Sequence, residues 1–248
     1  MRKICLLLLV LCGLHWSARA AEVTVAVASN FSAPMQKLAQ AFEQETGHKA
    51  LLSFGSTGNL YAQIRNGAPY QVLLAADDAT PRKLEAEGLG VAGSRFTYAI
   101  GTLVLWSKQP GLVDEKGDVL RSGKFERIAM ANPKLAPYGA AAVETLTQMG
   151  VLQAVRPKVA QGENISQTYQ FVATQNAQLG FVALSQVMVD GRVSQGSAWV
   201  VPAHLHSPIR QDAILLVKGR DAPAAAALMR FLRSERARAL IRTFGYAL

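Results

Sequence analysis

The sequence predicts an α/β fold, and three observations lead to it. Short apolar runs alternate along the chain with segments whose apolar residues recur every three or four positions, the pattern of strands alternating with amphipathic helices. No internal repeat and no low-complexity segment interrupts this alternation. The chain has 248 residues, and without the first twenty it is still long enough to form two compact lobes.

The first twenty residues are predicted to be a secretory signal peptide that is removed before the chain folds. Arg2 and Lys3 precede an apolar run over residues 4–14, and Ala18-Arg19-Ala20 has the small-residue spacing of a cleavage site near Ala20. A transmembrane helix is the alternative, but the run is shorter than the ~20 apolar residues that a span needs. Lipid attachment at Cys12 is disfavoured, because Leu11 stands where a small residue would be expected.

The predicted mature chain has no cysteine and a moderate positive charge. Both cysteines lie in the signal, which excludes disulfides, thiol catalysis and Cys-ligated metals. The signal also holds three of the 26 basic residues and none of the 17 acidic ones, so its removal lowers the formal net charge from +9 to +6. The basic residues are scattered and not interleaved with aromatic ones, so we predict no nucleic-acid partner and only weak steering of anions.

In the amino-terminal part of the mature chain, three apolar runs predict strands at residues 23–28, 50–54 and 71–75. Between the first two strands, apolar residues spaced along one helix face predict a helix; they are Met35, Leu38, Ala39 and Phe42. After the third strand, Thr80 and Pro81 predict the N-cap and the first residue of another helix.

The rest of the chain continues the alternation. The predicted strands are residues 98–107, 128–130, 180–184 and 211–218, and the predicted helices are 139–149, 166–178 and 222–244, the last as one helix or two. No Gly/Ser-rich linker separates two lobes, so we expect the chain to cross between them in ordered strands, at residues 98–107 and 207–216. This places residues 21–102 and 207–248 in the first lobe and residues 103–206 in the second.

Four segments share one design, in which small hydroxyl or amide residues, or Gly, stand where an extended stretch gives way to a helix. They are Ala28-Ser29-Asn30-Phe31, Gly55-Ser56-Thr57-Gly58, Ala136-Pro137-Tyr138-Gly139 and Asn164-Ile165-Ser166. A helix N-terminus attracts anions, because its first N–H groups are unpaired and the helix dipole is positive there. The simpler interpretation of each segment is an N-cap that needs no ligand.

The residue inventory disfavours catalysis and protein-bound metal. His204 and His206 could ligate a metal, but no carboxylate lies near them in sequence; Asp77 and Asp78 are better explained as a polar turn. No G-x-S-x-G, phosphate loop or G-x-G-x-x-G occurs. We therefore predict no catalytic residue, no cofactor and no metal site. A hydrolase on the same fold is the alternative from another class, but no His lies in the four segments to act as its base.

The order and spacing of several motifs resemble the periplasmic molybdate-binding proteins of ABC transporters, over essentially the whole mature chain. The motifs include Val27-Ala28-Ser29-Asn30-Phe31, Ser53-Phe54-Gly55-Ser56-Thr57-Gly58, Asn66-Gly67-Ala68-Pro69, Ala136-Pro137-Tyr138-Gly139 and Leu179-Gly180-Phe181-Val182-Ala183-Leu184. The resemblance implies a class II binding-protein fold of two lobes with the ligand in the cleft between them. It also implies a monomer in the periplasm that captures molybdate or tungstate through neutral donors and delivers it to the membrane permease of an ABC importer.

Carried over position by position, the resemblance implies five ligand residues. They are Ser29, Asn30, Thr57, Tyr138 and, through its backbone N–H, Ile165. Thr57 stands where the family usually has Ser, which keeps the hydroxyl and adds a methyl group. One branch of the family has a ligand Tyr near the end of the second lobe, but residues 181–184 carry no hydroxyl, so we assign Phe181 no such role.

Other tetrahedral oxyanions remain as alternatives. Phosphate is disfavoured, because its protonated form needs an acceptor such as Asp and the four segments contain none. Sulfate presents the same charge and acceptors as molybdate, so only the size of the pocket separates the two. The sequence does not rank molybdate against tungstate.

Overall fold

The computed structural model describes residues 20–189 and 191–248. The predicted signal peptide, with Cys5 and Cys12, lies outside the described residues except for Ala20. Among the helices of the described part, none has the length and apolar character needed to cross a bilayer.

The described residues form twelve strands. They are β1 (Glu22–Ala28), β2 (Lys49–Gly55), β3 (Val72–Leu74), β4 (Phe96–Gly101), β5 (Leu103–Ser107), β6 (Ile128–Ala131), β7 (Val159–Gly162), β8 (Leu179–Ala183), β9 (Met188–Val189), β10 (Arg192–Val193), β11 (Ser197–Val200) and β12 (Ile209–Leu215). Ten of them make two five-stranded sheets, in the orders β2-β1-β3-β12-β4 and β11-β5-β8-β6-β7, and β9 pairs with β10. We call the two sheets, with the helices packed on them, the first and the second lobe.

Within the same described residues, ten α-helices connect and cover these strands. They are α1 (Ser32–Thr46), α2 (Thr57–Arg65), α3 (Ala79–Ala86), α4 (Val119–Ser122), α5 (Pro137–Gln148), α6 (Leu152–Val155), α7 (Ile165–Ala173), α8 (Leu184–Val187), α9 (Pro223–Phe231) and α10 (Glu235–Thr243). In the first sheet, alternate residues of β1 pack towards α1 and α9 on one face and towards α2 on the other. In the second sheet, alternate residues of β5 and β8 likewise face α5 on one side of the sheet and α7 on the other. The predicted α/β fold of two lobes is confirmed.

The local predictions differ from the structure at two instructive places. The predicted strand 98–107 is two strands, β4 in the first sheet and β5 in the second, separated by Thr102. Thr80 was expected to cap α3, and this is wrong: the helix begins at Ala79 with Asp78 in the N-cap position. The carboxylate of Asp77 accepts the Thr80 N–H at 2.7 Å, so Asp77 organises this helix start.

The sheet topology brings the four predicted segments together. β1 and β2 are parallel neighbours with Ala28 opposite Gly55, and β6 and β7 are parallel neighbours with Ala131 opposite Gly162. Each of the four segments follows the carboxyl end of one of these strands, directly or after a short loop. Ligands in open α/β sheets bind outside the carboxyl ends of the strands, so this arrangement directs all four segments to one place between the lobes.

Candidate functional site

A small cavity lies where the four segments meet, with about 190 Å³ free of protein atoms. The residues that line it are Ala28, Ser29, Asn30, Gly55, Ser56, Thr57, Ala76, Ala136, Pro137, Tyr138 and Ile165. All five sequence-predicted ligand residues are among them. None of the lining residues is charged, so the cavity offers hydroxyl groups and backbone amides to a ligand.

Helix starts face the cavity from both lobes. On the first lobe, Ser29 begins a 3-10 turn that runs into α1, and Thr57 is the first residue of α2. On the second lobe, α5 begins at Pro137 and α7 at Ile165. The first N–H groups of a helix have no partner within the helix, and they point along its axis towards a ligand at its start.

The hydroxyls of Ser56 and Thr57 are buried but differ in their protein partners. Ser56 occupies the N-cap position of α2, yet its side chain makes no capping hydrogen bond, and its Oγ is buried without a partner in the part of the chain that the structure describes. Thr57 Oγ1 accepts the backbone N–H of Ala76 at 3.0 Å. A hydroxyl donates as well as accepts, so the proton of Thr57 remains available to an anion. The N-cap interpretation therefore does not explain either hydroxyl.

Asn30 faces the cavity with its backbone, because its side chain forms hydrogen bonds in the protein interior. Its Nδ2 donates to Gln211 Oε1 at 2.8 Å and to Tyr246 Oη at 3.0 Å, which uses both amide hydrogens. Its backbone carbonyl accepts from the hydroxyls of Tyr246 and Ser185, at 2.9 and 3.0 Å. The donor that Asn30 can offer to a ligand is thus its backbone N–H.

Tyr138 brings a buried phenol from the second lobe to a polar network on the first. Its hydroxyl accepts from Gln211 Nε2 at 3.2 Å. Burial raises the pKa of Tyr138 and that of Tyr98 well above the usual value for tyrosine, and it raises the pKa of Tyr246 to about 12. All three phenols therefore keep their protons, and their capacity to donate, throughout the neutral pH range.

Direct hydrogen bonds join the two lobes around the cavity. The N–H of Gly58 at the start of α2 donates to the carbonyl of Leu135, before α5, at 2.9 Å. Ser166 Oγ, at the start of α7, donates to the carbonyl of Ser29 at 3.2 Å. With these contacts made, the cavity is held between the two lobes.

The N-cap interpretation does explain Asn164. Its side-chain oxygen accepts the N–H groups of Ser166 and Gln167, both at 3.0 Å, so it caps α7. Its neighbour Ile165 is almost fully buried and lines the cavity, where its backbone can serve a ligand.

A larger and more open cleft lies beside the cavity, with about 770 Å³ free of protein atoms. Charged side chains of both signs line it, among them Asp77, Lys134, Glu144 and Arg210. Asp77 accepts hydrogen bonds from Thr80, which fits the polar turn expected of it. Carboxylates repel an anion, so the small neutral cavity is the better anion site.

The sequence predicted that His204 and His206 do not form a metal site. Within residues 20–189 and 191–248, no group of three or more His, Cys, Asp or Glu side chains could hold a metal ion. His206 Nδ1 lies 2.8 Å from the carbonyl oxygen of Ser207.

The sequence did not single out several residues that shape the cavity. Ser56 carried a usable signal, since it stands beside Thr57 between two glycines, but only the structure shows that its hydroxyl lacks a partner among the residues described. Gln211 and Tyr246 carried none. They are 181 and 216 residues from Asn30 in the chain, and folding alone brings them into contact with it.

Comparison with known proteins gives a family and close relatives. Residues 23–247 match the family model described as bacterial extracellular solute-binding protein. The chain is 57% identical over 232 residues to molybdate-binding protein ModA of Azotobacter vinelandii, covering 94% of this chain and 92% of the relative. It is 48% identical over 234 residues to the protein of the same name from Rhodobacter capsulatus, covering 94% and 91%. The solved structure of an Azotobacter vinelandii periplasmic molybdate-binding protein superposes with a TM-score of 0.88 at 40% identity, covering 91% of this chain and 99% of that one.

Proposed function

The chain belongs to the family of bacterial extracellular solute-binding proteins, and from this premise we propose that it binds molybdate and serves as the substrate-binding component of an ABC transporter. Like its close relatives, it is a transport protein and not an enzyme. The observation that carries the proposal is the neutral cavity between the lobes, formed by helix starts and buried hydroxyls.

Neutral donors can hold a dianion when water is kept out. Several N–H and O–H groups share the charge, and the positive ends of helix dipoles point towards it. Each hydrogen bond to a charged group contributes roughly 1.5–3 kcal/mol. The same cavity disfavours a protonated anion such as phosphate, because none of its lining side chains is a carboxylate that would accept the proton.

The ligand set that we propose keeps the five predicted residues and adds one. Ser29 and Thr57 would donate through their hydroxyls, and Asn30, Tyr138 and Ile165 through their backbone N–H groups. Ser56 joins them, because its buried hydroxyl has no partner among the described residues and a ligand oxygen would supply the partner that such a group requires.

The wider setting follows from the same proposal. The mature protein, cleaved near Ala20, would act in the periplasm as a monomer, with residues 21–102 and 207–248 as one lobe and 103–206 as the other. Closure of the lobes would bury molybdate or tungstate and present one shape to the membrane permease of the importer. No cofactor and no nucleic acid takes part.

Calorimetric titration and thermal melting with molybdate, tungstate, sulfate and phosphate test the function. A ligand that binds only the native state at ~100 times its dissociation constant stabilises it by about 2.7 kcal/mol. We expect molybdate and tungstate to raise the melting temperature, and sulfate at the same concentration to leave it unchanged. A larger shift with sulfate than with molybdate would reverse the specificity proposed here.

A further inference from the structure

Beyond the capture of an anion, we propose that the first lobe carries a basic surface that attaches the protein reversibly to the anionic phospholipids of a membrane. The surface consists of Arg230 near the end of α9, Arg233 in the turn that follows, and Arg238 and Arg242 on α10. The inference goes beyond the proposed function, because it concerns a different part of the molecule from the anion cavity.

The net positive charge of the protein is concentrated at its carboxyl end. Residues 218–248 contain seven basic and two acidic side chains, a formal charge of +5. The other residues of the predicted mature chain, 21–217, contain 16 basic and 15 acidic side chains, a charge of +1. Basic residues are thus scattered along the chain, but their excess over acidic residues is not. Such an asymmetry of charge is typical of a surface with an anionic partner.

Contacts in the structure join the four arginines into one surface. Arg230 and Arg233 are neighbours across one turn, in which the Arg233 N–H donates to the Arg230 carbonyl at 3.1 Å. Arg233 and Arg238 line the same cavity. Arg238 Nε and Arg242 Nη1 lie 3.5 and 4.0 Å from the carboxylate of Glu235. One carboxylate therefore faces two guanidinium groups, which leaves this part of the surface positive.

The guanidinium groups remain accessible to a partner. Arg230 and Arg233 are exposed. The side chains of Arg238 and Arg242 are 43% and 52% exposed, although both lie near Glu235. The side chain of Glu235 is itself 82% exposed, and an ion pair in such a setting contributes little. A phosphate group can therefore replace Glu235 as the partner of these arginines.

The cavity between Arg233 and Arg238 offers space for a phospholipid headgroup. About 620 Å³ of it is free of protein atoms. The guanidinium carbon of Arg233 lies 3.7 Å from the centroid of the Phe96 ring, a stacking contact that holds the group in place. Leu248 also lines the cavity, and its terminal carboxylate offsets only one of the two positive charges. A guanidinium group binds phosphate through two parallel hydrogen bonds.

The basic surface is separated from the anion cavity. In the first turn of α10, Arg236 forms an ion pair at 3.1 Å with Glu45 in the last turn of α1. α1 follows the turn that lines the cavity and has 15 residues. Its last turn is therefore about 22 Å from its start. We expect attachment to a membrane and binding of the anion to be independent of each other.

An anionic bilayer fits this surface because it presents many phosphate groups to several arginines at once. Under the proposed function the protein works beside a membrane that holds its transporter. The apolar face of α10 is not available for insertion, since Ala237 and Ile241 are fully buried in the first lobe. The attachment is therefore electrostatic, and salt should reverse it.

Co-sedimentation with vesicles tests the proposal. We expect the protein to bind vesicles of equal parts phosphatidylglycerol and phosphatidylcholine at about 50 mM NaCl, to dissociate from them at about 300 mM, and not to bind phosphatidylcholine alone. Each basic residue near an anionic surface strengthens binding about fivefold. The combined change Arg230→Gln, Arg238→Gln and Arg242→Gln should therefore weaken binding about a hundredfold. Arg233 is kept because it stacks on Phe96.

A matched control separates this surface from the overall charge. The combined change Lys124→Gln, Arg127→Gln and Arg156→Gln removes three exposed basic residues of the second lobe, and thus the same net charge. It should weaken vesicle binding less than about threefold. If the triple variant of the basic surface does not fold, Arg230→Gln alone replaces it, with an expected loss of about fivefold.

The outcomes are decisive for the basic surface and leave the proposed function to its own test. Failure of the wild-type protein to bind the anionic vesicles, equal binding to both kinds of vesicle, or equal losses in the two triple variants would overturn the proposal. A selective loss in the variant of the basic surface supports it. Calorimetry should give wild-type affinity for molybdate in both triple variants, and an absence of molybdate binding in the wild-type protein would contradict only the proposed function.

Discussion

Ser56 and Thr57 are adjacent hydroxyl residues at the start of α2, and their different partners lead to different expectations. The Ser56 hydroxyl has no partner within residues 20–189 and 191–248, so Ser56→Ala should not destabilise the ligand-free protein. If the hydroxyl donates to the anion, the substitution should reduce affinity about ten- to a hundredfold. Thermal melting without ligand and calorimetry with molybdate measure the two effects on one variant.

Ser234→Ala is the control for that experiment, because Ser234 is a hydroxyl N-cap remote from the cavity. Its Oγ accepts the N–H of Ala237 at 3.2 Å at the start of α10. Loss of such a cap costs about 1 kcal/mol of stability, and affinity should not change. An Ser56→Ala protein that behaves like Ser234→Ala would remove Ser56 from the ligand set.

Thr57→Val should affect both stability and affinity. Valine keeps the branched shape and loses the hydroxyl, which leaves the buried N–H of Ala76 unpaired at a cost of roughly 1–3 kcal/mol. The anion loses a donor as well, so affinity should fall about ten- to a hundredfold. A destabilised protein with wild-type affinity would limit Thr57 to its contact with Ala76.

Asp77 gives a pH-dependent prediction for stability. Burial raises its pKa above the usual value of 3.8, against the opposing effect of the Thr80 hydrogen bonds. The folded state therefore binds the proton more tightly than the unfolded state, and the side chain's contribution to stability falls as pH rises from 3.8 through the raised pKa. Asp77→Asn keeps an oxygen for the Thr80 N–H and removes the charge. It should raise the melting temperature at pH 7, and the gain should shrink as the pH falls through the raised pKa and be lost below pH 3.8. A lower melting temperature at pH 7 would contradict this.

At the residue scale, the sequence predicted which loops carry donors but not how each donor is used. Small polar residues at helix starts are a local signal, and it brought Ser29, Thr57 and Ile165 to one cavity. The Asn30 side chain instead forms hydrogen bonds with Gln211 and Tyr246 in the interior, and both residues lie on distant parts of the chain. No local pattern encodes such a contact.

At the scale of elements, long apolar patterns predicted their elements well and short edge strands were missed. α1 was predicted from one apolar face, and Met35, Leu38 and Phe42 are fully buried, whereas Ala39 is only half-buried. The strand predicted at 98–107 was continuous, because Thr102 does not break an apolar run. β7 was missed because its residues are mostly half-buried or exposed at the edge of the second sheet.

The contact between the start of α2 and the loop before α5 predicts an effect on closure. A Cβ on Gly58 would lie 3.0 Å from the Cα of Leu135, where the two lobes share a hydrogen bond. Gly58→Ala should therefore hinder closure and weaken molybdate binding about tenfold, mainly through faster dissociation. Alanine also favours the helix by up to about 1 kcal/mol, so the ligand-free protein should not lose stability.

Stopped-flow dissociation and small-angle scattering measure this effect. In the wild-type protein, molybdate should reduce the radius of gyration as the lobes close, and in Gly58→Ala the reduction should be smaller. An unchanged dissociation rate would show that the lobes accommodate the extra methyl group.

At the scale of the molecule, the chain connects the lobes through ordered strands. It leaves the first sheet after β4, enters the second at β5 and returns to the first as β12. Crossings were predicted at residues 98–107 and 207–216, because the sequence contains no flexible linker. The pairing order within each sheet could not be predicted, because it depends on contacts between strands far apart in sequence.

The whole-molecule charge predicts a weak dependence of binding on salt. The predicted mature chain has a net charge of +6, but no Lys or Arg of the described residues lines the cavity. Salt screens exposed charges over about 10 Å at 0.1 M, whereas buried hydrogen bonds to an anion are screened far less. Raising NaCl from about 50 to about 300 mM should therefore change the dissociation constant for molybdate less than about threefold. The association rate should fall modestly, because the positive surface steers the anion only before it is bound. Stopped-flow kinetics and calorimetry at matched salt measure both quantities. A steep loss of equilibrium affinity with salt would mean that exposed cations hold the ligand, and not the buried donors of the two lobes.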